Sequence, residues 1–578
     1  MYKKIYKEWL NNVNEVEREE LLSIKDNDDE IKERFSLELA FGTAGMRGTI
    51  GMGTYKMNQY TVKRATEGLA RYIIENGKEA MERGVLISYD TRLYSMEFAL
   101  DVANVLSAFG IKSYIYDSFR PVPMCSFAIR CLKTFAGVMI TASHNPKEYN
   151  GYKVYGEDGA QMSPEATAVV VGYIKKVKSY FNVPSDNVSI EEYKNAKDGQ
   201  KLNENITVIG ESVDEKYYEI LENLMLSKDI IKKRGKDIKL VYTPIHGSGY
   251  VPVTTMFNRL GISAHIVEEQ KNPDTNFSTV SMPNPEKEDA LLLGMALGDK
   301  VNADVVLGTD PDCDRMGVAI RNKEGKFELL TGNQIGVLIL DYLLTRKEEL
   351  KILPSNGAVI KTIVTSTIAD RMAKKKGMTV FNVLTGFKFI GELMTEWAKT
   401  KEYEYIFGFE ESYGSLVGTH ARDKDAVIAC LIFAELVLYL EEKGLTVFDR
   451  LEQIFEDFGY YTEKNISIEY KGLKGMDEMK DVMAKLRKQD ISFVGTEKVL
   501  KVADYKTRKV KFADGSVEDI TLPESDVIYL GLSNEQFVCI RPSGTEPKLK
   551  IYVLVFDKDK NLSQSKAEYV LAEAKKLL

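Results

Sequence analysis

Asp310, Asp312 and Asp314 alternate along the chain and are the residues here best suited to hold a cation. In an extended segment such positions share one face. Their charges would repel unless positive charge sits among them. All-oxygen ligation selects a hard divalent ion, Mg2+ before Zn2+. An EF-hand is excluded, because Arg315 stands at its glycine position and Arg321 at its twelfth, where a bidentate glutamate is required. Three ligands on one short loop leave positions for water and a phosphate oxygen, and Arg315 directly follows as a partner for the same phosphate.

A second constellation is Thr141-Ala142-Ser143-His144-Asn145-Pro146. A serine on a turn usually caps a helix or faces water; its chemical reading is a nucleophile or a phosphate carrier. No G-x-S-x-G elbow surrounds it, which argues against an α/β-hydrolase. Glu410 and Ser412, between Gly408 and Gly414, suit a tight loop that reads sugar hydroxyls, although helix capping is the plainer use of such a pair. Thr419 to Asp425 crowds charges, Lys424 among them, before an apolar helix. Arg541-Pro542-Ser543-Gly544-Thr545 joins a guanidinium, two hydroxyls and a bare glycine amide, the parts of a phosphate cradle. Arg47 stands in a glycine-rich run from Gly42 to Gly53, expected to be a loop that lets backbone approach an anion. No Walker A signature occurs, so ATP binding by a P-loop is unsupported.

These residues need strands to end where they begin. Phe135 to Ile140 reads as a buried strand, and Asn145-Pro146 forces a turn after it. Ser143 is therefore expected at the carboxyl end of a strand, where open α/β sheets place ligand chemistry. The segment from Lys147 to Lys153 reads as polar and turn-rich. Ser163-Pro164-Glu165 predicts an N-cap and a helix through about Tyr180. Ala303 to Leu307 predicts the strand that ends in the aspartates, Thr379 to Val383 one that ends in Thr385-Gly386-Phe387-Lys388, and Tyr405 to Phe407 one that ends at Glu410. Three successive α/β units thus each end a strand in a polar loop, a triplication visible in element order alone. The expected division is 1–205, 206–325, 326–455 and a final α+β piece, 456–578, with a long apolar helix from Asp425 to Glu442 that spans to the last. Residues 1–40 read as a helical, acidic arm.

The chain has 578 residues, enough for roughly four domains of ~150 residues. Its net charge of −8 excludes a generally basic nucleic-acid binder. Five scattered cysteines without a C-x-x-C pair fit free thiols in a reducing cytoplasm. The first 20 residues lack the apolar core of a signal peptide, and no apolar run approaches the ~20 residues of a membrane span. The expectation is a soluble cytoplasmic protein with small-molecule partners, no nucleic acid and no membrane.

Four motifs in order, T-A-S-H-N-P, D-P-D-C-D-R, G-F-E-E-S and R-P-S-G-T-E-P, with F-G-T-A-G-M-R-G before them, resemble the α-D-phosphohexomutase superfamily of phosphoglucomutases and phosphomannomutases, in its longer branch. The resemblance implies three similar α/β domains with mixed sheets and a C-terminal α+β domain around a central cleft. It implies that Ser143 is a phosphoserine sharing Mg2+ with Asp310, Asp312 and Asp314. Glu410 and Ser412 would hold sugar hydroxyls, with Thr385, Gly386 and Lys388 also at the substrate. Arg541, Ser543, Gly544 and Thr545 would grip the non-reacting phosphate. Arg47, His144, Lys153 and Lys424 match phosphate contacts or proton-transfer candidates. The implied reaction interconverts glucose 1-phosphate and glucose 6-phosphate through glucose 1,6-bisphosphate, with mannose phosphates as further substrates, in a monomer or weak homodimer. A phosphopentomutase and a catalytically silent sugar-phosphate sensor are the alternatives. Cys313, Phe409 and Met46 depart from commoner family residues without removing a ligand.

Overall fold

The computed structural model describes residues 1–42, 45–470, 475–542 and 548–578. By their contacts these form two units. The first comprises Met1–Thr331, Gly391–Lys399 and Tyr413–Glu442; the second comprises Gly332–Ile390, Thr400–Ser412 and Lys443–Leu578.

The first unit holds two mixed sheets. In one, the strand order is Gly45–Thr49, Tyr149–Gly156, Ala136–Ile140, Val85–Tyr89, Ser113–Tyr116, Ile206–Ile209. The last four run parallel, and the first two are antiparallel additions at one edge. The other sheet repeats the plan in five strands: Phe327–Leu329, Met316–Arg321, Val305–Thr309, Leu240–Thr243, Ala264–Ile266. Its last three are parallel and its first two antiparallel. Strands Val85–Tyr89, Ala136–Ile140 and Val305–Thr309 are buried at every position. That is the pattern of parallel strands covered on both faces, and it explains their unbroken apolar sequences. Each candidate loop in this unit joins a central parallel strand to the antiparallel strand that folds back beside it.

Several expectations are corrected here. The glycine-rich run is partly a strand, Gly45–Thr49, and its partner is the segment read as turn-rich, which forms strand Tyr149–Gly156. Glycine is required at this seam. A side chain on Gly151 would stand 2.5 Å from the Thr141 carbonyl oxygen and 3.0 Å from that of Met46, so the three chain segments close only without one. The helix opening at Ser163, whose side chain does cap the Ala166 amide, runs Pro164–Ile174 and stops short of Tyr180. Tyr180 and Phe181 turn instead onto Trp9, which also meets Phe35 and Tyr60 edge to face. That aromatic cluster fastens the three N-terminal helices, Tyr2–Asn12, Glu15–Ser23 and Asp28–Phe35. The first sheet runs on to Ile209, past residue 205. By its contacts, helix Ala426–Glu442 groups with the first unit. It is buried along nearly its whole length against helices Lys228–Arg234 and Tyr250–Leu260, and Glu435 in its middle accepts the Ser227 amide.

In the second unit, strands Thr379–Val383, Gly357–Thr362 and Glu404–Phe409 lie side by side and parallel. The C-terminal sheet is antiparallel, in the order Tyr460–Glu469, Lys548–Asp557, Phe537–Pro542, Ile528–Leu532, Glu497–Asp504, Lys509–Phe512, Val517–Asp519. Helices Gly475–Lys488 and Lys560–Lys575 bury Met479, Met483, Ala567 and Val570 on it.

Candidate active site

Strand Ala136–Ile140 ends in the serine loop, and the turn is tight. Ser143 has φ 54°, a left-handed conformation that costs a non-glycine residue roughly 1–3 kcal/mol. Its amide donates to Thr141 Oγ1 at 2.8 Å, and the Asn145 amide closes the turn on the Ala142 carbonyl at 3.1 Å. The result aims Ser143 Oγ away from its own strand.

Strand Val305–Thr309 ends in the aspartate loop, where Cys313 is also left-handed, at φ 50°. Asp310 Oδ1 accepts the amides of Asp314 and Arg315, each at 3.0 Å, so this carboxylate caps its own loop. Its other oxygen accepts from Ser143 Oγ at 3.2 Å. Thr141 Oγ1 donates to Asp312 Oδ2, also at 3.2 Å. Serine loop and aspartate loop, far apart in sequence, thus meet face to face. All three aspartates are buried, and one oxygen of each lies within 4.8 Å of the others.

Two lysines flank them. Lys153, on strand Tyr149–Gly156, places Nζ 2.9 Å from Asp312 and 3.8 Å from Asp314. Lys424 places Nζ 3.2 Å from Asp314 and 3.2 Å from Asp423. Burial, then the charges of Asp312 and Asp314, push the Asp310 carboxyl well above its usual range. Burial would raise Asp312 too, but Lys153 and Lys424 outweigh it and hold that group at about 2. Asp314 is raised, by burial first and by the Asp312 charge next. The lysines therefore supply part of the positive charge that three acids demand. They do not supply all of it: Asp312 Oδ1 and Asp314 Oδ1 are buried without a hydrogen-bond donor among the described residues. A carboxylate trio at this spacing, with two buried oxygens left undonated, fits a hard divalent metal ion.

His144 Nδ1 lies 3.1 Å from Ser143 Oγ, and Arg47 Nη1 donates to Asn145 Oδ1 at 3.0 Å, inside the serine loop. Arg315 turns to Glu286 as an ion pair. Sequence reading missed Thr141 as the hydroxyl that links the two loops, although it stands two positions before the serine. It also missed Asp423, which receives Tyr155 Oη at 3.0 Å and Gln161 Nε2 at 3.1 Å and so anchors Lys424. No spacing signals that pair.

In the second unit, Glu410 Oε1 accepts the Gly386 amide at 2.9 Å, which joins the ends of two adjacent parallel strands. Ser412 is half-buried in the turn that follows, and Lys388 opens the next helix with its ammonium 4.7 Å from the Phe389 ring. Thr362 Oγ1 donates to Glu411 at 3.2 Å. Burial and then the Glu410 charge raise the Glu411 carboxyl, while Arg541 works against them. Arg541 ends strand Phe537–Pro542, half-buried. Ser543, Gly544 and Thr545 lie outside the described residues.

A serine at the end of one parallel strand thus faces a buried, lysine-flanked carboxylate trio at the end of another. Three family descriptions match in order: phosphoglucomutase/phosphomannomutase alpha/beta/alpha domain I over residues 38–181, domain II over 215–325 and domain III over 331–458. A phosphoglucomutase of Staphylococcus saprophyticus is 34% identical, covering 97% of this chain and 99% of its own length. One of Staphylococcus epidermidis is 37% identical, covering 91% and 92%. Among solved structures, the Paramecium phosphoprotein pp63/parafusin, a phosphoglucomutase, superposes with a TM-score of 0.66 at 18% identity, over 93% of this chain and 96% of its own. A Burkholderia thailandensis phosphoglucomutase/phosphomannomutase family protein gives 0.65 at 18% identity, over 93% and 97%. The chain belongs to the phosphoglucomutase/phosphomannomutase family. Among the described residues no helix is long and apolar enough to cross a membrane.

Proposed function

We infer that this chain is a phosphoglucomutase, interconverting glucose 1-phosphate and glucose 6-phosphate with Ser143 as the phosphoryl carrier. The observation that carries the reading is the 3.2 Å approach of Ser143 Oγ to Asp310 within the carboxylate trio. Relatives of nearly the same length carry that activity by name, which favours it over a pentose substrate. The intact serine and three aspartates speak against a silent sensor.

In the proposed cycle the bond from phosphorus to Ser143 Oγ breaks as a bond to the free sugar hydroxyl forms. The sugar is then a bisphosphate, glucose 1,6-bisphosphate, and it returns its other phosphoryl group to Ser143. Asp310, Asp312 and Asp314, with an oxygen of the phosphoserine, would hold Mg2+, which when bound supplies Lewis-acid neutralisation of the phosphoryl oxygens. Lys153 and Lys424 bring cationic groups to the same oxygens. His144, 3.1 Å from Ser143 Oγ, is placed to take the proton that the sugar hydroxyl gives up and to pass it to the serine oxygen as that oxygen leaves phosphorus. Arg47 and Arg315 contact phosphate. Glu410, Ser412, Thr385, Gly386 and Lys388 read the sugar, and Arg541 with Ser543, Gly544 and Thr545 grips the phosphate that is not reacting. Such a mechanism asks for position and charge more than for covalent chemistry from the protein.

The test is Ser143→Ala, assayed with glucose 1,6-bisphosphate present, beside intact-mass measurement of the purified wild type. The reading requires that turnover be abolished and that wild-type enzyme carry one phosphate that the variant lacks. Substantial turnover in the variant would refute it. Glucose 1-, mannose 1- and ribose 1-phosphates assayed side by side rank the substrates.

A further inference from the structure

Arg92 carries no role in the cycle above, yet it makes four hydrogen bonds to the serine loop and its exit. It follows strand Val85–Tyr89 and is 3% exposed. Its Nη2 donates to the carbonyl oxygens of Ser143, at 2.6 Å, and Asn145, at 2.5 Å. Its Nη1 donates to those of Pro146, at 2.9 Å, and Tyr149, at 3.1 Å. One guanidinium thereby collects four carbonyls, three from the serine loop and one from the first residue of the strand after it. The Phe277 ring covers it at 5.1 Å, and Asp90 faces its Nε at 3.4 Å. Asp90 is itself fixed, by the Arg92 amide at 3.0 Å and by Ser95 Oγ at 2.7 Å.

The arrangement has a physical purpose at this spot. A left-handed serine persists only where its surroundings over-determine it. Carbonyls drawn to a common cation on one side of the turn leave the Ser143 side chain directed to the other, toward Asp310. Loosening them would let the loop relax to an ordinary conformation and carry Oγ off the trio.

We propose that Arg92, backed by Asp90, is a positioning residue for phosphoryl transfer: its four carbonyl hydrogen bonds hold Ser143 in the left-handed conformation that faces the aspartates. The proposal rests on the reading of Ser143 as phosphoryl carrier. Lysine keeps the charge but has no planar fork to span four acceptors. An error near 1 Å in the placement of a reacting atom costs on the order of 100-fold in rate.

The test uses the full-length phosphorylated enzyme and a rapid-mixing single turnover, which yields the rate constant for transfer from phosphoserine to glucose 1-phosphate. That constant is independent of the fraction of molecules folded, so a merely structural loss would not move it. Arg92→Lys should slow it about 100-fold while KM for glucose 1-phosphate stays within about twofold. An unchanged rate constant overturns the proposal. Should Arg92→Lys yield no folded protein, Asp90→Asn takes its place. It keeps an oxygen for the Arg92 amide and Ser95 but removes the charge facing Nε; a slower transfer supports the proposal and an unchanged one overturns it. Ser143→Ala runs in parallel. If that variant is phosphorylated and active, the carrier reading itself has failed, and Arg92 falls with it. If it is inert while Arg92→Lys, or Asp90→Asn in its place, transfers at the wild-type rate, only the Arg92 assignment has failed.

Discussion

At the end of strand Ala136–Ile140, Ser143 is tied by its amide to Thr141, by its carbonyl to Arg92 and by its hydroxyl to Asp310. At the end of strand Glu404–Phe409, Glu410 is held through one carboxylate oxygen by the Gly386 amide, and Ser412 beside it is half-buried. Both are polar groups delivered by a parallel strand and both are buried, but among the described residues the first loop carries the more hydrogen bonds. The glycines show the same contrast. Gly151 is wedged between two backbone carbonyls, whereas the nearest atom to a side chain placed on Gly386 is 4.0 Å away, on Phe389. The difference follows from the work proposed for each. Breaking and making a bond to phosphorus demands near-attack placement. Recognising a sugar that must present either end tolerates a loop with fewer ties.

The largest expected effect tests the first region. Asp310→Asn removes a charge from the trio, and kcat should fall by about 1000-fold, several kcal/mol of transition-state stabilisation. Its Mg2+ titration should shift to higher concentration; Asp312→Asn should show the same shift. A wild-type Mg2+ midpoint in both would dissolve the metal reading. Next, Gly151→Ala should destabilise the protein by about 3 kcal/mol because backbone on both sides must move, whereas Gly386→Ala, at φ 120°, should cost about 1 kcal/mol of conformational strain. Chemical denaturation of the pair measures the contrast directly, and equal losses would erase it. Glu410→Gln should raise KM about tenfold and leave kcat within a few-fold, as for a group that binds ground state and transition state alike. If kcat falls instead, Glu410 belongs with the reacting atoms.

A further effect, on stability against pH, lies behind the first sheet. Burial pushes the Asp101 carboxyl up to about 6 from an ordinary 3.8, although Lys63 opposes it at 3.1 Å. The folded form then binds its proton more tightly than the unfolded form. The corresponding stabilisation is fully present below pH 3.8 and is lost as pH rises through about 6. Asp101→Asn should flatten the stability profile between those values, read as melting temperature against pH; an unchanged slope would locate the titration elsewhere.

Much of the centre is legible in one dimension. Val305–Thr309 and Ala136–Ile140 announce themselves as apolar runs, because a strand covered on both faces has no polar face to show. Ser143 and the aspartates follow those runs directly, so their place at strand ends could be read. Tyr149–Gly156 could not be read this way. Its Asn150 and Gly151 look like a turn, but Asn150 is buried, donating to Leu93 and Ser95, and Gly151 is demanded by neighbouring carbonyls. The Gly45–Thr49 strand was masked for the same reason, since glycines chosen for close approach resemble glycines chosen for flexibility. Helix Ala426–Glu442 is apolar all round, which declares burial without saying against what.

The chain's own order of residues determined which groups are available: a serine after one buried strand, three alternating acids after another, a glutamate and an arginine at further strand ends. Local preferences suffice for that, since strand ends and turns are set by neighbours a few positions away. Only the folded chain decided that Asp310 receives the Ser143 hydroxyl, that Lys153 and Lys424 share the acids' charge, and that Arg92 gathers the serine loop's carbonyls. Those partners lie dozens to hundreds of positions apart, and charge and hydrogen bonding act through space, without regard to the distance along the chain.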